Sequence, residues 1–164
     1  MTLARLKQVV RYDPATGDFY WLDMEKRKLA KGHEKVGCIH KTLGYVMMTI
    51  DCMKFYGHRL AWFYVYGDWP SEIDHINGNR SDNRISNLRP ATSTQNKANA
   101  THHFDNELGV KGIYKIKSTG RFRVRVQRSG VTVFDKCFKT IEEAKNAQLT
   151  ASVEAFGEFA RVPL

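Results

Sequence analysis

The chain has 164 residues, of which 42% are hydrophobic, and its 26 Lys and Arg against 17 Asp and Glu give a formal net charge of +9. This length fits one domain or two small ones, and the hydrophobic content excludes a disordered tail. The positive charge favours a polyanionic partner such as nucleic acid, with a surface charged only for solubility as the alternative.

The first 70 residues are predicted to form short helices and strands joined by turns. Apolar spacing and alternation predict helices over residues 2–10 and 58–66, and strands over residues 18–22, 45–50 and 53–56. A turn at residues 13–17 precedes the first strand, and the charged stretch at residues 24–33 is predicted to be a loop.

Residues 71–100 are dense in polar side chains, and their pattern predicts a strand, a polar loop, a second strand and a helix. Asn77-Gly78 is a strong turn signal within the loop. Thr92 and Gln95 have the spacing of a capping box, so a helix should begin at Thr92 and run toward Ala100.

The C-terminal third has the pattern of a small sheet followed by a helix. Strands are predicted at residues 112–116, 121–127 and 131–138, with turns between them. Thr140 and Glu143 form a second capping box, which predicts a helix to about Phe156. Alanines on one side of that helix would let it pack closely on a three-stranded antiparallel sheet.

The change in pattern divides the chain into two modules of an α+β protein. We expect a first domain over residues 1–100, a polar linker over residues 101–108, and a second domain over residues 109–164.

Three cysteines, Cys38, Cys52 and Cys137, form no CxxC pair and are odd in number. They argue against a disulfide framework and against a structural zinc site. The N-terminal residues lack the apolar run of a signal peptide, and no stretch is long enough to cross a bilayer. We therefore expect a cytoplasmic protein with no membrane partner.

Asp74-His75, Asn87 and Asn96 have the elements of a phosphodiester hydrolase. Such chemistry needs a base for water and a cation for the phosphate, and His75 titrates near working pH. Asp74 and Asn96 offer hard oxygen ligands that suit one Mg²⁺ or Mn²⁺ ion. Because adjacent strand residues point to opposite faces, Asp74 and His75 can share a site only if the chain bends after Ile73. A turn stabilised by side-chain hydrogen bonds is the alternative reading of the Asp-His pair.

This region resembles the HNH family of ββα-metal nucleases, and closely the homing endonucleases of phages and introns. The matching segments are HRLAW at 58–62, GDWP at 67–70, IDHINGN at 73–79, DNR at 82–84, NLR at 87–89 and TSTQN at 92–96, with a leader between Tyr12 and Trp21.

The resemblance implies an endonuclease that cuts or nicks double-stranded DNA, and it assigns roles to single residues. His75 matches the general base, and Asp74 matches a metal ligand. Asn87 matches the middle asparagine, which ties the loop and orients the histidine. Asn96 occupies the third motif position, where many members of the family have His.

Along residues 121–127 the side chains alternate by face, so that Arg121, Arg123 and Arg125 share the face opposite Phe122. Three arginines on one sheet face can bind phosphates or donate hydrogen bonds to guanine edges, and Lys115 and Lys117 add positive charge nearby. A merely solvated sheet face is the alternative.

The same region resembles the APETALA2 DNA-binding domain of plants, on the segments GVKGIY at 109–114, GRFRVRV at 120–126, FKTIEEA at 138–144 and FGEFA at 156–160. That resemblance implies a three-stranded sheet that enters the major groove of DNA and is backed by one helix.

These observations predict a metal-dependent HNH endonuclease that acts on double-stranded DNA as a monomer or weak dimer. A catalytically inactive DNA-binding regulator is the main alternative, because Asn96 stands where the family often has His. A nuclease that acts on RNA or without specificity, and a purely structural protein, are further alternatives.

Overall fold

The computed structural model describes residues 1–22, 34–100 and 108–161. The chain forms two compact units, Met1–Pro90 and Ala91–Leu164. It combines helices with antiparallel sheets and is an α+β protein, as predicted. The predicted loop at residues 24–33 and all but the last residue of the predicted linker lie outside the described residues. Of the helices that are described, none has the length and apolarity to span a membrane.

The first unit begins with helix α1, Leu3–Val9, whose first turn is capped by the side chain of Thr2. The helix runs directly into strand β1, Val10–Asp13, which pairs antiparallel with β2, Asp18–Trp21. Strand β1 was not predicted, because only its pairing with β2 distinguishes its short apolar run from the end of the helix.

A second small sheet contains β3, Cys38–Ile39, β4, Val46–Ile50, and β5, Met53–Tyr56, in the order β3-β4-β5. Helix α2, Gly57–Tyr66, follows at once and ends at Gly67, whose left-handed backbone (φ 78°) stops the helix. The core of this unit is built on side chains that are completely buried, among them Leu6, Val10, Phe19, Ile50 and Leu60.

Strand β6, Glu72–His75, pairs with β7, Leu88–Ala91, which follows a 3₁₀ turn at Ile85–Asn87. The bend was expected after Ile73, but the strand stays extended through His75 and the chain turns only after it. Asp74 nonetheless lies close enough to His75 for its charge to oppose the lowering of the imidazole pKa, so the two side chains are near each other without that bend. Pairing with the neighbouring segment continues past the strand, since the Ile76 amide donates to the carbonyl of Asn87. The turn closes only after His75, whose carbonyl accepts a hydrogen bond from Gly78 at 2.7 Å.

The second unit begins with helix α3, Ser93–Asn99, which starts with the predicted capping box of Thr92 and Gln95. Strands β8, Ile113–Lys115, β9, Phe122–Arg128, and β10, Val131–Phe138, form an antiparallel sheet in the order β10-β9-β8. Helix α4, Ile141–Phe156, packs against this sheet. Ile113, Val124 and Ala144 are completely buried between them, which confirms the predicted sheet on one helix.

Candidate active site

His75 lies at the end of β6 and is buried, with only 4% of its surface exposed. Its Nε2 atom is 3.4 Å from Oδ1 of Asn83. Burial lowers the pKa of His75, and the hydrogen bond that the Oδ1 atom of Asn83 accepts and the charge of Asp74 oppose that shift. A buried imidazole with a lowered pKa is neutral at neutral pH and can accept a proton.

Asn83 is the residue whose side-chain oxygen faces Nε2 of His75, and it was assigned no role from the sequence although it lies in a matching motif. It is only 2% exposed, and Tyr12 donates a hydrogen bond to its carbonyl at 2.7 Å. Gly57 lies so close that a Cβ atom there would be 2.7 Å from Nδ2 of Asn83. The turn between β1 and β2 also packs on this segment, where a Cβ on Gly17 would lie 2.5 Å from the carbonyl carbon of Asn83. Contacts from Tyr12, Gly57 and Gly17 therefore fix the position of Asn83, whose side-chain amide contacts His75.

The Asn87 side chain bridges the loop between β6 and β7. Its Oδ1 accepts from the Asn77 amide at 3.0 Å, and its Nδ2 donates to the carbonyl of Asp82 at 2.8 Å. These two bonds join both ends of the polar loop. The further role of orienting His75 stays a prediction.

Asp74 contacts Arg89 of the neighbouring strand. Oδ2 of the carboxylate accepts hydrogen bonds from Nε at 2.9 Å and from Nη2 at 2.8 Å, and Asp74 is only 3% exposed. Two charge-assisted bonds to one guanidinium fix the orientation of the carboxylate. Arg89 lies in the matching segment at 87–89, but its pairing with Asp74 depends on strand register and was not predicted.

A second buried histidine lies beside His75. The ring centroids of His58 and His75 are 5.0 Å apart in an edge-to-face arrangement, and the Tyr45 ring contacts both. His58 is 7% exposed, and its Nδ1 has no hydrogen-bond partner within the described residues. Burial, followed by the charges of His75 and Arg59, lowers the pKa of His58 to about 3. These ring contacts pack His58 against His75 and Tyr45.

The donor chemistry fits a hard divalent cation. The predicted ligands are the carboxylate of Asp74 and the amide oxygen of Asn96, and two such oxygens would leave further positions for water and phosphate. Within the described residues no group of three or more His, Cys, Asp or Glu could hold a metal ion. Asn96 is half-buried on α3, in the second unit, and its backbone amide donates to the carbonyl of Thr92 at 2.9 Å. Its role as a ligand stays a prediction.

In the second unit, Arg123 and Arg125 share a face of β9, and Asp135 of β10 joins them. Arg123 donates to both carboxylate oxygens at 2.7 and 2.6 Å, and Arg125 donates from Nη2 at 2.9 Å. These bonds, that of Arg123 first, lower the pKa of Asp135 to about 2. The two guanidinium groups, each with more than 40% of its side chain exposed, are thereby held side by side.

The other basic residues predicted to serve this face are placed differently. Lys115 lies across from Phe122, whereas its neighbour Tyr114 lies across from Arg123 and is 57% exposed. Strand register therefore assigns Tyr114 to the arginine face and Lys115 to the other side. Lys117 is exposed in the following turn, and Arg121 donates from Nη2 to the carbonyl of Cys137 at 3.4 Å.

Comparison with known proteins agrees with the predicted nuclease. Residues 55–98 match the HNH endonuclease family. Over 116 residues the chain is 34% identical to a protein of Acanthamoeba polyphaga mimivirus named an uncharacterized HNH endonuclease. This alignment covers 69% of the chain but only 59% of the viral protein. No solved structure matches. The segment that matches the HNH endonuclease family includes Asp74, His75, Asn87 and Asn96, whereas the resemblance to APETALA2 stays a prediction.

Proposed function

We propose that this protein is a metal-dependent endonuclease of the homing type that hydrolyses phosphodiester bonds in double-stranded DNA. The observation that carries the proposal is His75, a buried imidazole of lowered pKa inside the segment that matches the HNH endonucleases. The net charge of +9 supports a polyanionic substrate.

In this proposal His75 accepts a proton from the attacking water. Oδ1 of Asn83 faces Nε2 and can only accept a hydrogen bond, which places the imidazole proton on Nε2. The lone pair then lies on Nδ1, and that atom takes the proton. Because burial lowers the pKa, the ring stays neutral and ready to act at neutral pH.

Asp74 and Asn96 are the proposed ligands of one divalent ion, Mg²⁺ or Mn²⁺. When bound, such an ion offsets the charge that develops on the phosphate and on the leaving oxygen. Arg89 supports this role because its two hydrogen bonds fix the carboxylate of Asp74. Asn87 would support it by holding together the loop that follows the catalytic strand.

The second unit is proposed to bind duplex DNA through the face of β9 that carries Arg123 and Arg125. The deep, narrow major groove of RNA would not admit such a sheet, so the proposal names DNA. Asp135 holds the two guanidinium groups side by side, which lowers the conformational entropy lost when they meet phosphates or a base.

Nicking of supercoiled plasmid tests the catalytic proposal. The wild type should nick in Mg²⁺ or Mn²⁺ and stop in EDTA, and His75→Gln should lower the rate by at least about 100-fold while DNA binding remains. His40→Gln is the matched control, because His40 is exposed and lies outside the segment of the HNH match. Circular dichroism of each variant shows whether it is folded.

Two outcomes would contradict the catalytic proposal. If the wild-type protein binds DNA but does not nick it with either metal, it is the catalytically inactive regulator. That alternative was considered because Asn96 stands where the family often has His. Wild-type nicking by folded His75→Gln would remove His75 from the mechanism. Mapping of the cut ends then shows whether one or both strands are cut.

A salt series tests the DNA-binding face. Arg125→Ala should lower the slope of log affinity against log salt by about 0.9 if Arg125 neutralises one phosphate. Lys145→Ala is the control, because it removes one equal charge from the exposed surface of α4. Equal losses of slope in both variants would indicate attraction by net charge alone and would contradict binding by this face.

A further inference from the structure

The C-terminal end of helix α3 is bound by two cations of the second unit. The ammonium of Lys111 donates to the carbonyl of Lys97, and also to that of Ala98 at 3.1 Å. Nη1 of Arg161 donates to the carbonyl of Asn99 at 3.1 Å. The last carbonyls of a helix lack partners within it, so the bonds to Ala98 and Asn99 satisfy groups that the helix itself leaves open, whereas the Lys97 carbonyl also accepts from the Ala100 amide at 3.3 Å.

The position of these cations has an electrostatic cost. Lys111 is half-buried, and burial followed by the nearby charge of Arg161 lowers its pKa. Two like charges are stable together here because the helix end carries partial negative charge and offers carbonyl acceptors. The contacts of the Lys111 ammonium are thus with the end of the helix.

Helix α3 needs such support because it is short. It has seven residues, and isolated helices of that length are not stable in water. The capping box of Thr92 and Gln95 fixes its first turn, and Lys111 and Arg161 fix its last. Asn96 lies between the two fixed ends.

The segment that carries Lys111 is also joined to the arginine strand. The Arg125 amide donates to the carbonyl of Gly112 at 2.9 Å, and a Cβ on Gly112 would lie 2.9 Å from the carbonyl oxygen of Arg125. Gly112 also has a positive φ of 76°, which disfavours other residues. Lys111 therefore extends to α3 from a backbone position that β9 fixes.

We infer that Lys111 and Arg161 are positioning residues, which hold α3 so that Asn96 is in place for the metal ion. This inference rests on the proposed function. Within the second unit, the backbone that fixes the arginine strand also fixes the helix of the proposed ligand.

The test compares Lys111→Met with Lys111→Arg and Lys145→Met in the full chain. Lys111→Met keeps the apolar stem and loses the ammonium, whereas Lys145→Met removes the same charge from the exposed surface of α4. Hydrogen exchange of the backbone amides in α3, the metal concentration at half-maximal nicking and the affinity for DNA are measured for each variant.

We expect Lys111→Met to speed exchange in α3 by about tenfold or more and to raise the half-maximal metal concentration severalfold. Exchange at Val124, in the core of the sheet, and DNA affinity should match those of Lys145→Met. Lys111→Arg should recover part of both losses. Equal acceleration at Val124 would indicate general destabilisation and overturn the inference, as would faster exchange in α3 with an unchanged metal requirement.

If the proposed function is wrong, the wild-type protein does not nick DNA, and this result distinguishes its failure from failure of the inference. Broadening of the Asn96 side-chain amide signal by Mn²⁺ then replaces the nicking measurement. The inference predicts that Lys111→Met requires more Mn²⁺ than Lys145→Met for the same broadening. Equal requirements, or no broadening in the wild type, would overturn it.

Discussion

Replacement of His58 by glutamine should make the free energy of unfolding of the first unit less sensitive to acid. The imidazole is 7% exposed, and its Nδ1 has no hydrogen-bond partner in the described part of the chain. His75 and Arg59 are the charged or titratable groups that act on it, and both lower its pKa further after burial has lowered it. Protonation of His58 in the folded state is therefore unfavourable.

The magnitude follows from the shift in pKa. The ordinary value of 6.5 applies to the unfolded chain, whereas the folded value is about 3. Between these two values the unfolded state binds more protons, so the free energy of unfolding falls as the pH drops below 6.5, and the loss levels off below about pH 3. From about pH 7 to about pH 5 the titration of His58 should remove about 2 kcal/mol.

Urea unfolding at these two pH values, followed by tryptophan fluorescence, measures the effect. Trp21, Trp62 and Trp69 all lie in the first unit, so the signal reports on that unit. His58→Gln should lose about 2 kcal/mol less than the wild type over this interval. The variant keeps the part due to His75, whose pKa is also lowered by burial.

His40→Gln removes an exposed histidine and should keep the acid sensitivity of the wild type. If His58→Gln loses as much stability as the wild type on acidification, His58 is protonated in the folded protein and the argument from burial fails.

Two further predictions concern the support of the site. Gly17→Ala should destabilise the first unit by about 3 kcal/mol or more, because its Cβ would lie 2.4 Å from the backbone nitrogen of Arg84. Gly44→Ala has a similar φ (74° against 79°) but no atom nearer than 3.9 Å, and should cost only about 1–2 kcal/mol; equal losses in urea unfolding would contradict the steric argument. Arg89→Met should cost about 3 kcal/mol, because it leaves the buried carboxylate of Asp74 without the guanidinium. Wild-type unfolding of that variant would show that this ion pair does not stabilise the fold.

Much of the secondary structure could be predicted because its signals are local. Each capping box joins residues three positions apart, Thr92 with Gln95 and Thr140 with Glu143, and both helices begin where predicted. Strands β1 and β3 were missed because they are short and are defined by their partners. The two residues of Cys38–Ile39 form a strand only through pairing with β4.

The candidate site was predictable where motifs specify it and unpredictable where distant contacts do. Asp74, His75 and Asn87 follow from the resemblance to HNH nucleases. The support of Asn83 by Tyr12 joins residues 71 positions apart, and the approach of Gly57 depends on the start of α2. Side-chain pairs such as Asp74 with Arg89 require strand register, which composition and periodicity do not determine.

The division of the chain shows the same limit. Composition changes after residue 100, and this change led to the expectation that residues 1–100 form the nuclease domain. Helix α3 nevertheless groups with the second unit, which begins at Ala91. Its contacts with that unit include those at its C-terminal end, where the Ala98 and Asn99 carbonyls bind Lys111 and Arg161. A capping box predicts where a helix begins, but only tertiary contacts, such as those of its last carbonyls, show to which unit the helix belongs. A chain cut after residue 100 would keep Asn96 and lose both cations that fix its helix.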